Sequence, residues 1–367
     1  MSAGFDRALA WATLAQKRLD PEALTALLRE CPDPVELLAT PRRRLGKLAT
    51  DGTLARLCAP LEPARDAALR AWLADPAHEV LAWDDPDYPQ RLLALPDPPV
   101  VLFLMGRRDL LNRPALAIVG SRNATPGGKE NARAFAHALS EAGLTIISGM
   151  ALGIDGAAHQ GALDGPSSTI AVIGTGPDRV YPARHRALAH AIAARGALLS
   201  AFPPGMPPLP QNFPQRNGII SGIALGVLVV EATLSSGSLI TARLAGDQGR
   251  EVFAIPGSIH SPFARGCHRL IREGAKLVET AHDVLDELHW PGPGPTVRTL
   301  RPQPVVEGEA ATVLAALGHD PAAVDALVVR TGLTAAAVAT ALVSLELAGV
   351  VATSAGGQWQ RAAARRD

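Results

Sequence analysis

Aromatic residues make up 4% of this 367-residue chain, cysteine occurs 3 times, and neither sign of charge predominates, since 35 Lys and Arg stand against 35 Asp and Glu. Each scarcity excludes something. Cys31, Cys58 and Cys267 are scattered, so they form neither a metal-ligand pair nor a disulfide framework, and a reducing cytoplasm is the expected setting. A net charge of zero provides no global field to attract nucleic acid, so a site of that kind must be local. No apolar run approaches the roughly 20 residues that span a bilayer. The first residues carry Asp6 and Arg7 among short apolar pieces, unlike a secretion signal, and no membrane partner is expected. No Gly-x-x-x-x-Gly-Lys-Ser/Thr sequence occurs, which excludes a P-loop ATPase.

What the chain does have is 47% hydrophobic residues and a length suited to two or three domains. Residues 1–75 alternate short helical patterns with Pro21, Pro32, Pro34, Pro41, Pro60 and Pro63, which predicts a small all-helical domain. Arg42, Arg43, Arg44 and Lys47 cluster at one helix start there and read as a solvated face rather than a DNA contact. Over 80–288, strand and helix patterns alternate, with strands expected near 116–119, 144–148, 169–173, 197–200, 226–231, 251–255 and 276–278. Such alternation demands a parallel sheet covered by helices on both faces. Right-handed crossovers make it a Rossmann-like doubly wound α/β fold, whose ligands sit outside the carboxyl ends of the strands.

Residues 289–308 hold Pro291, Pro293, Pro295, Pro302 and Pro304 and read as a linker biased to extended conformations. Within 309–367, three helical patterns (Ala310 to Leu317, Ala322 to Thr331 and Thr334 to Leu347) precede a short hairpin through Gly349 and Trp359. The last helix has no Lys or Arg and includes Glu346, so this module reads as a protein-contact element rather than a reader of the DNA groove.

Two strand-loop-helix units carry the chemistry. Leu116-Ala117-Ile118-Val119 runs into Gly120, Ser121 and Arg122 and then into a helix beginning near Gly127. Gly226 to Val230 runs into Glu231 and then into Ser235, Ser236, Gly237 and Ser238 at the next helix start. Both turns are expected to aim backbone N–H groups out of a helix N-terminus, which is a phosphate-binding arrangement. Phe213-Pro214-Gln215-Arg216-Asn217 adds an exposed arginine; Arg122 and Arg216 are both placed in loops after strands, where the guanidinium fork suits phosphate. A single crevice is expected to collect Ser121, Arg122, Ser148, Gly149, Gly174, Arg216, Ser236, Ser238 and Gly257. Glu231, costly to bury unpaired, has Arg216 as its natural partner. Asp155 and His159, four apart on a helix, read as fixing the local structure of the Ser148-Gly149 turn rather than as an acid–base pair.

Gly174-Thr175-Gly176 lacks the third glycine of a dinucleotide fingerprint, and Ala194 and Arg195 stand where its acidic residue belongs, so no nicotinamide cofactor is expected. The chief alternative is a nucleoside-monophosphate phosphoribohydrolase, which has a similar open sheet and a glutamate close after its Gly-rich loop. Ser238-Leu239-Ile240-Thr241-Ala242 offers no carboxylate there. A loop that holds phosphate without a positioned acid or base predicts a binding protein, not an enzyme, with no catalytic residue, cofactor or metal.

Gly120-Ser121-Arg122, Ser148 to Asp155 with His159, Gly174-Thr175-Gly176 followed by Tyr181-Pro182, Phe213 to Asn217, Ser236 to Ala242, and Pro256-Gly257 resemble, in this order, the successive motifs of the DNA-processing protein A (DprA, also called Smf) family. The resemblance implies a Rossmann-like core flanked by an N-terminal sterile-alpha-motif-like helical domain and a C-terminal winged-helix-like domain. It implies a protein that protects single-stranded DNA, helps load the RecA recombinase in natural transformation and homologous recombination, and forms a homodimer through the Rossmann domain. The nucleic-acid-binding candidates are then Gly120, Ser121, Arg122, Ser148, Gly149, Gly174, Arg216, Asn217, Ser236, Gly237, Ser238, Arg243, Gly257, Arg265 and His268. The chain departs from the family pattern at Gly218, where a second arginine is common, at Ala201, where a glutamate is common, and at His268, where an asparagine is common. Arg265, Arg269 and Arg272 around His268 are expected to restore the missing positive charge.

Overall fold

A computed structural model of the chain describes residues 3–294, 306–318, 321–354 and 356–362. Most of the linker expected at 289–308 falls on 295–305, outside the described residues. Six helices open the chain: α1 (Ala3–Gln16), α2 (Pro21–Glu30), α3 (Pro34–Ala39), α4 (Arg42–Leu45), α5 (Asp51–Cys58) and α6 (Pro63–Leu73). The prolines set their starts, because Pro21, Pro34 and Pro63 each occupy a first-turn position where the missing N–H is not needed. Asp20 caps α2 by accepting from Glu22 N and Ala23 N, and Asp33 caps α3 by accepting from Val35 N. Their buried faces, including Trp11, Leu14, Leu27, Leu37, Leu54 and Leu69, form one apolar cluster with Val101 and Phe103.

The chain continues as β1 (His78–Ala82), β2 (Val101–Gly106), β3 (Ala115–Val119), α7 (Pro126–Glu141), β4 (Thr145–Ser148), α8 (Ile154–Leu163), β5 (Thr169–Ile173), α9 (Arg186–Arg195) and β6 (Ala197–Ser200). It then forms α10 (Asn212–Ile223), β7 (Gly226–Val229), α11 (Ser238–Asp247), β8 (Glu251–Ala254), α12 (Arg265–Arg272), β9 (Lys276–Leu277) and α13 (Ala281–Glu287). From residue 306 on come α14 (Gly308–Leu317), α15 (Val324–Thr331), α16 (Ala335–Leu347) and a hairpin of β10 (Val351–Ser354) and β11 (Gln358–Arg361). Nine strands hydrogen-bond in the order β1-β2-β6-β5-β4-β3-β7-β8-β9.

The strands expected from the sequence are all present, and β1 and β2 are additions to them. β2 runs antiparallel to both β1 and β6. Neither is reached through a crossover helix, so the alternation of strand and helix that reveals parallel units does not reveal them. The signal was the buried run Val101-Leu102-Phe103-Leu104.

The chain divides into two compact units, one of residues 1–115, 147–150 and 168–224, the other of 116–146, 151–167 and 225–367. In the second, β3 and β7 lie side by side and parallel, with Ala117 opposite Val227 and Val119 opposite Val229. Strand order runs one way from β3 through β4, β5 and β6, then resumes with β7 on the other flank of β3. The carboxyl ends of β3 and β7 are therefore the topological switch point, the place where open α/β sheets bind ligands. Beneath it, Leu116, Ile118, Leu228 and Val230 of the strands and their ends pack with Ala132, Ala136, Leu139, Ile154 and Ala158 of α7 and α8. The described residues from 306 on have a core of their own, Val313, Leu317, Leu327, Val338, Leu342 and Leu345. Thr334 caps α16 as expected, its hydroxyl accepting from Ala337 N at 3.2 Å. Among the described residues no single helix is long and apolar enough to cross a membrane.

Candidate nucleic-acid interface

Two helices begin at the switch point, α7 after β3 and α11 after β7. The loop into α7 is closed on itself. Ser121 N donates to Glu231 O at 2.7 Å, Asn123 N to Ser121 Oγ at 3.2 Å and Thr125 N to Glu231 Oε2 at 2.9 Å. Thr125 Oγ1 donates to Glu231 Oε1 at 2.6 Å while accepting from Gly128 N at 3.0 Å, and Gly127 N donates to Gln360 Oε1 of β11 at 3.3 Å. Pro126 has no N–H to offer. Gly128 is required here because a Cβ at that position would strike the Glu231 carboxylate.

The sequence reading of Glu231 as a partner of Arg216 is thus corrected, because the carboxylate clamps the start of α7 through both groups of Thr125. Burial pushes its carboxyl above the ordinary 4.5, against the opposing pull of the Thr125 hydrogen bonds and Lys129. The first expected cradle is also corrected, since the amides of Ser121, Asn123, Thr125, Gly127 and Gly128 already have acceptors within the protein. Arg122 in this loop is exposed.

The loop into α11 is the opposite case. It folds on a short internal frame: Ser236 N donates to Thr233 O at 3.1 Å and Thr233 N to Ser236 Oγ at 2.9 Å. Leu239 N and Ile240 N turn back to Ser236 O and Gly237 O. The amides of Ser235, Gly237 and Ser238 are left without an acceptor among the described residues. Ser238 is 8% exposed, and its hydroxyl also lacks a hydrogen-bond partner. Buried polar groups are seldom left so. Three N–H groups and one hydroxyl at the positive end of a ten-residue helix make an anion site. Arg243 lies exposed in the second turn of the same helix.

Gly257 and α12 complete this side. His268 Nε2 donates to Gly257 O at 3.0 Å, so His268 holds this loop. Arg269, expected to help restore positive charge, is instead engaged by Glu273 at 2.8 Å, leaving Arg265 and Arg272 for that role. Cys267 lies under the strand ends against Val229 O and Val230 O, and burial pushes its thiol up to about 12, which suppresses thiolate chemistry.

In the first unit, Arg216 is 5% exposed and lies on α10. This corrects its placement as an exposed arginine in a loop. Residues 212, 216, 220 and 223 follow the helical period and are all buried. Arg216 fits because position 149 is glycine: a Cβ there would collide with the guanidinium. Its Cζ lies 5.9 Å from the Phe213 ring centroid, and that ring packs on Gly174 and 5.8 Å from the Tyr181 ring. Asn212 Nδ2 donates to Gly174 O at 3.0 Å, which joins the start of α10 to the end of β5. Ser148, Gly149, Gly174, Arg216 and Asn217 therefore belong to one unit. Gly120, Ser121, Arg122, Ser236, Gly237, Ser238, Arg243, Gly257, Arg265 and His268 belong to the other.

A family model described as DNA recombination-mediator protein A matches residues 79–289, and one described as DprA winged helix domain matches 298–357. The chain belongs to the DprA family. Protein Smf of Escherichia coli is 44% identical over 292 residues, 78% of this chain and 78% of that protein. A putative DNA processing protein DprA of Mycobacterium tuberculosis is 36% identical over 375 residues, 96% of this chain and 94% of that protein. Among solved structures, DprA from Streptococcus pneumoniae superposes with a TM-score of 0.65 at 37% identity, covering 75% of this chain and 95% of that one. DprA from Helicobacter pylori, described for its single-stranded DNA binding mode, superposes with a TM-score of 0.53 at 29% identity, covering 58% and 95%.

Sequence reasoning missed three contributors around the DprA motifs: Thr125, Gln360 and Leu234. Thr125 was legible as an N-cap, standing just before the helical pattern with proline next. Gln360 lies 233 residues from Gly127, and no local pattern signals that contact. Leu234 is 55% exposed between the strand and the open loop, and its apolar character hid it among core positions.

Proposed function

We propose that the protein binds single-stranded DNA through its phosphates, with the open α11 N-terminus as the principal contact and Arg122 and Arg243 of the same unit as cationic support; Arg216, in the other unit, is a separate phosphate-contact candidate. The observation that carries the reading is the set of unused donors at Ser235, Gly237 and Ser238, beside a family switch-point motif. Phosphate contact at a backbone nest is indifferent to base sequence, which fits a protein that coats strands of any sequence. The Helicobacter pylori relative, described for binding single-stranded DNA, supports the ligand class. Protection of single strands, loading of the RecA recombinase and dimerisation through the Rossmann domain extend this reading and rest on family membership. In domain terms, residues 1–75 are the helical domain, 80–288 the DNA-binding core and 309–367 the winged-helix-like module.

The protein is read as a binder and not an enzyme. One observation favours the phosphoribohydrolase alternative: Glu231, with its raised carboxyl, stands at the switch point. Both its oxygens are engaged by Thr125, which suits a clamp better than an acid. The test is a salt series of binding to single- and double-stranded oligonucleotides, beside assays for base release from nucleoside monophosphates and phosphate release from ATP. Tight, salt-dependent binding to single strands without turnover is expected. Base release that disappears in Glu231→Gln would establish the enzyme instead.

A further inference from the structure

We infer that the cleft between Leu234 and one face of α12 is a nucleoside-phosphate subsite, with the phosphate held by Arg265 and Arg272 and the base laid against Leu234. The inference rests on the single-strand reading above and adds a contact to the base, which that reading does not contain. The cleft has a volume of about 400 Å3 and is lined by Leu234, Arg265, His268 and Arg272. That lies at the small end of the range for small-molecule sites.

Arg265, His268 and Arg272 stand at i, i+3 and i+7 of α12 and so project from one side of the helix. The rest of the helix is used otherwise: Cys267 and Leu270 are buried, and Arg269 is engaged by Glu273. Arg265 and Arg272 have no carboxylate partner among the described residues, and His268 is fixed by the Gly257 carbonyl. Opposite these cations stands an exposed leucine, and inorganic phosphate has no use for such a wall. A ligand with an anionic group and a flat apolar ring uses both walls, because every base has a π-face that tolerates any sequence. Leu234 immediately precedes the open amide of Ser235. A strand with one phosphate on the α11 amides therefore delivers a neighbouring nucleotide to this cleft.

The full-length protein is titrated with a fluorescent oligo-dT, with an equally long oligonucleotide carrying abasic sites throughout, and with thymidine 5′-monophosphate. Leu234→Ala is expected to weaken oligo-dT binding about fivefold without changing the salt slope, and to leave the abasic strand unaffected. Arg265→Ala and Arg272→Ala are each expected to lower the salt slope by about one unit for both strands. An unchanged oligo-dT affinity in Leu234→Ala, or equal weakening of both strands, overturns the subsite. Monophosphate binding that Leu234→Ala weakens identifies free nucleotide as a ligand of the cleft. If the monophosphate does not bind while the oligo-dT effect stands, the cleft serves nucleotides within a strand. If the wild-type protein binds no oligonucleotide at low salt, the single-strand reading falls separately, and the monophosphate titration alone decides the subsite: weakening by Leu234→Ala supports it, and absence of binding overturns it. Because Leu234 is more than half exposed, its truncation is not expected to move the thermal midpoint.

Discussion

α7 and α11 begin at the same switch point, each after a buried parallel strand and a loop of small residues, yet they stand in opposite states. At α7 the protein supplies every acceptor its start needs: the Glu231 carboxylate, the Thr125 hydroxyl and the Gln360 amide. At α11 three amides and a buried hydroxyl are left over. A helix N-terminus carries partial positive charge wherever it occurs, but it binds a ligand only if the chain has not already neutralised it. Glu231 makes the difference, since it stands just after β7 and turns its side chain to α7 rather than to the helix that follows it in sequence.

The strongest test of that contrast places a charge in the open site. Ser238→Asp is expected to weaken binding to single-stranded DNA about a hundredfold or more, equivalent to about 2.7 kcal/mol, because a carboxylate would take the donors and repel phosphate. The fold should survive, since an acidic residue at a helix start is stabilising, and thermal unfolding measured beside fluorescence anisotropy separates the two effects. The matching change at the closed site is Thr125→Ala. It should lower stability by about 1–2 kcal/mol through the lost cap and the stranded Glu231, visible in urea denaturation, while the folded protein keeps its DNA affinity. Loss of binding at unchanged stability there would reverse the assignment of the two helices.

Arg122→Ala, which removes an exposed guanidinium from the closed loop, should flatten the salt slope by about one unit equally for all base sequences. Arg216 is a poorer probe because its burial couples any binding loss to destabilisation. A chain ending after Pro293 frees the Gly127 amide from Gln360 but keeps the Trp290 indole bonded to Ala142 O at 2.9 Å. It should remain folded, and its affinity should change by less than about tenfold. The smallest effect concerns pH. Because burial raises the Glu231 carboxyl, the stability it contributes is fully present below its unfolded value of 4.5 and is lost as pH rises through the folded value. Glu231→Gln should flatten that part of the stability profile, measured by denaturation between acid and neutral pH.

Legibility differed between strands and side chains. The parallel strands could be read because each is a short apolar run bounded by turn residues, as Ala115–Val119 and Thr169–Ile173 show. β1 and β2 escaped because an antiparallel pair without a crossover helix does not take part in that alternation. Arg216 was placed in a loop after a strand end, yet α10 begins at Asn212 and takes in both Pro214, which a first turn tolerates, and Arg216.

The sequence by itself determined the doubly wound core and the family, since apolar periodicity and ordered motifs are local signals. Tertiary structure alone decided which helix start is open. That depends on where the Glu231 carboxylate and the Gln360 amide come to rest, 106 and 233 residues from the groups they satisfy, and hydrogen-bond satisfaction over such separations is set by the packed fold and not by any neighbouring residue.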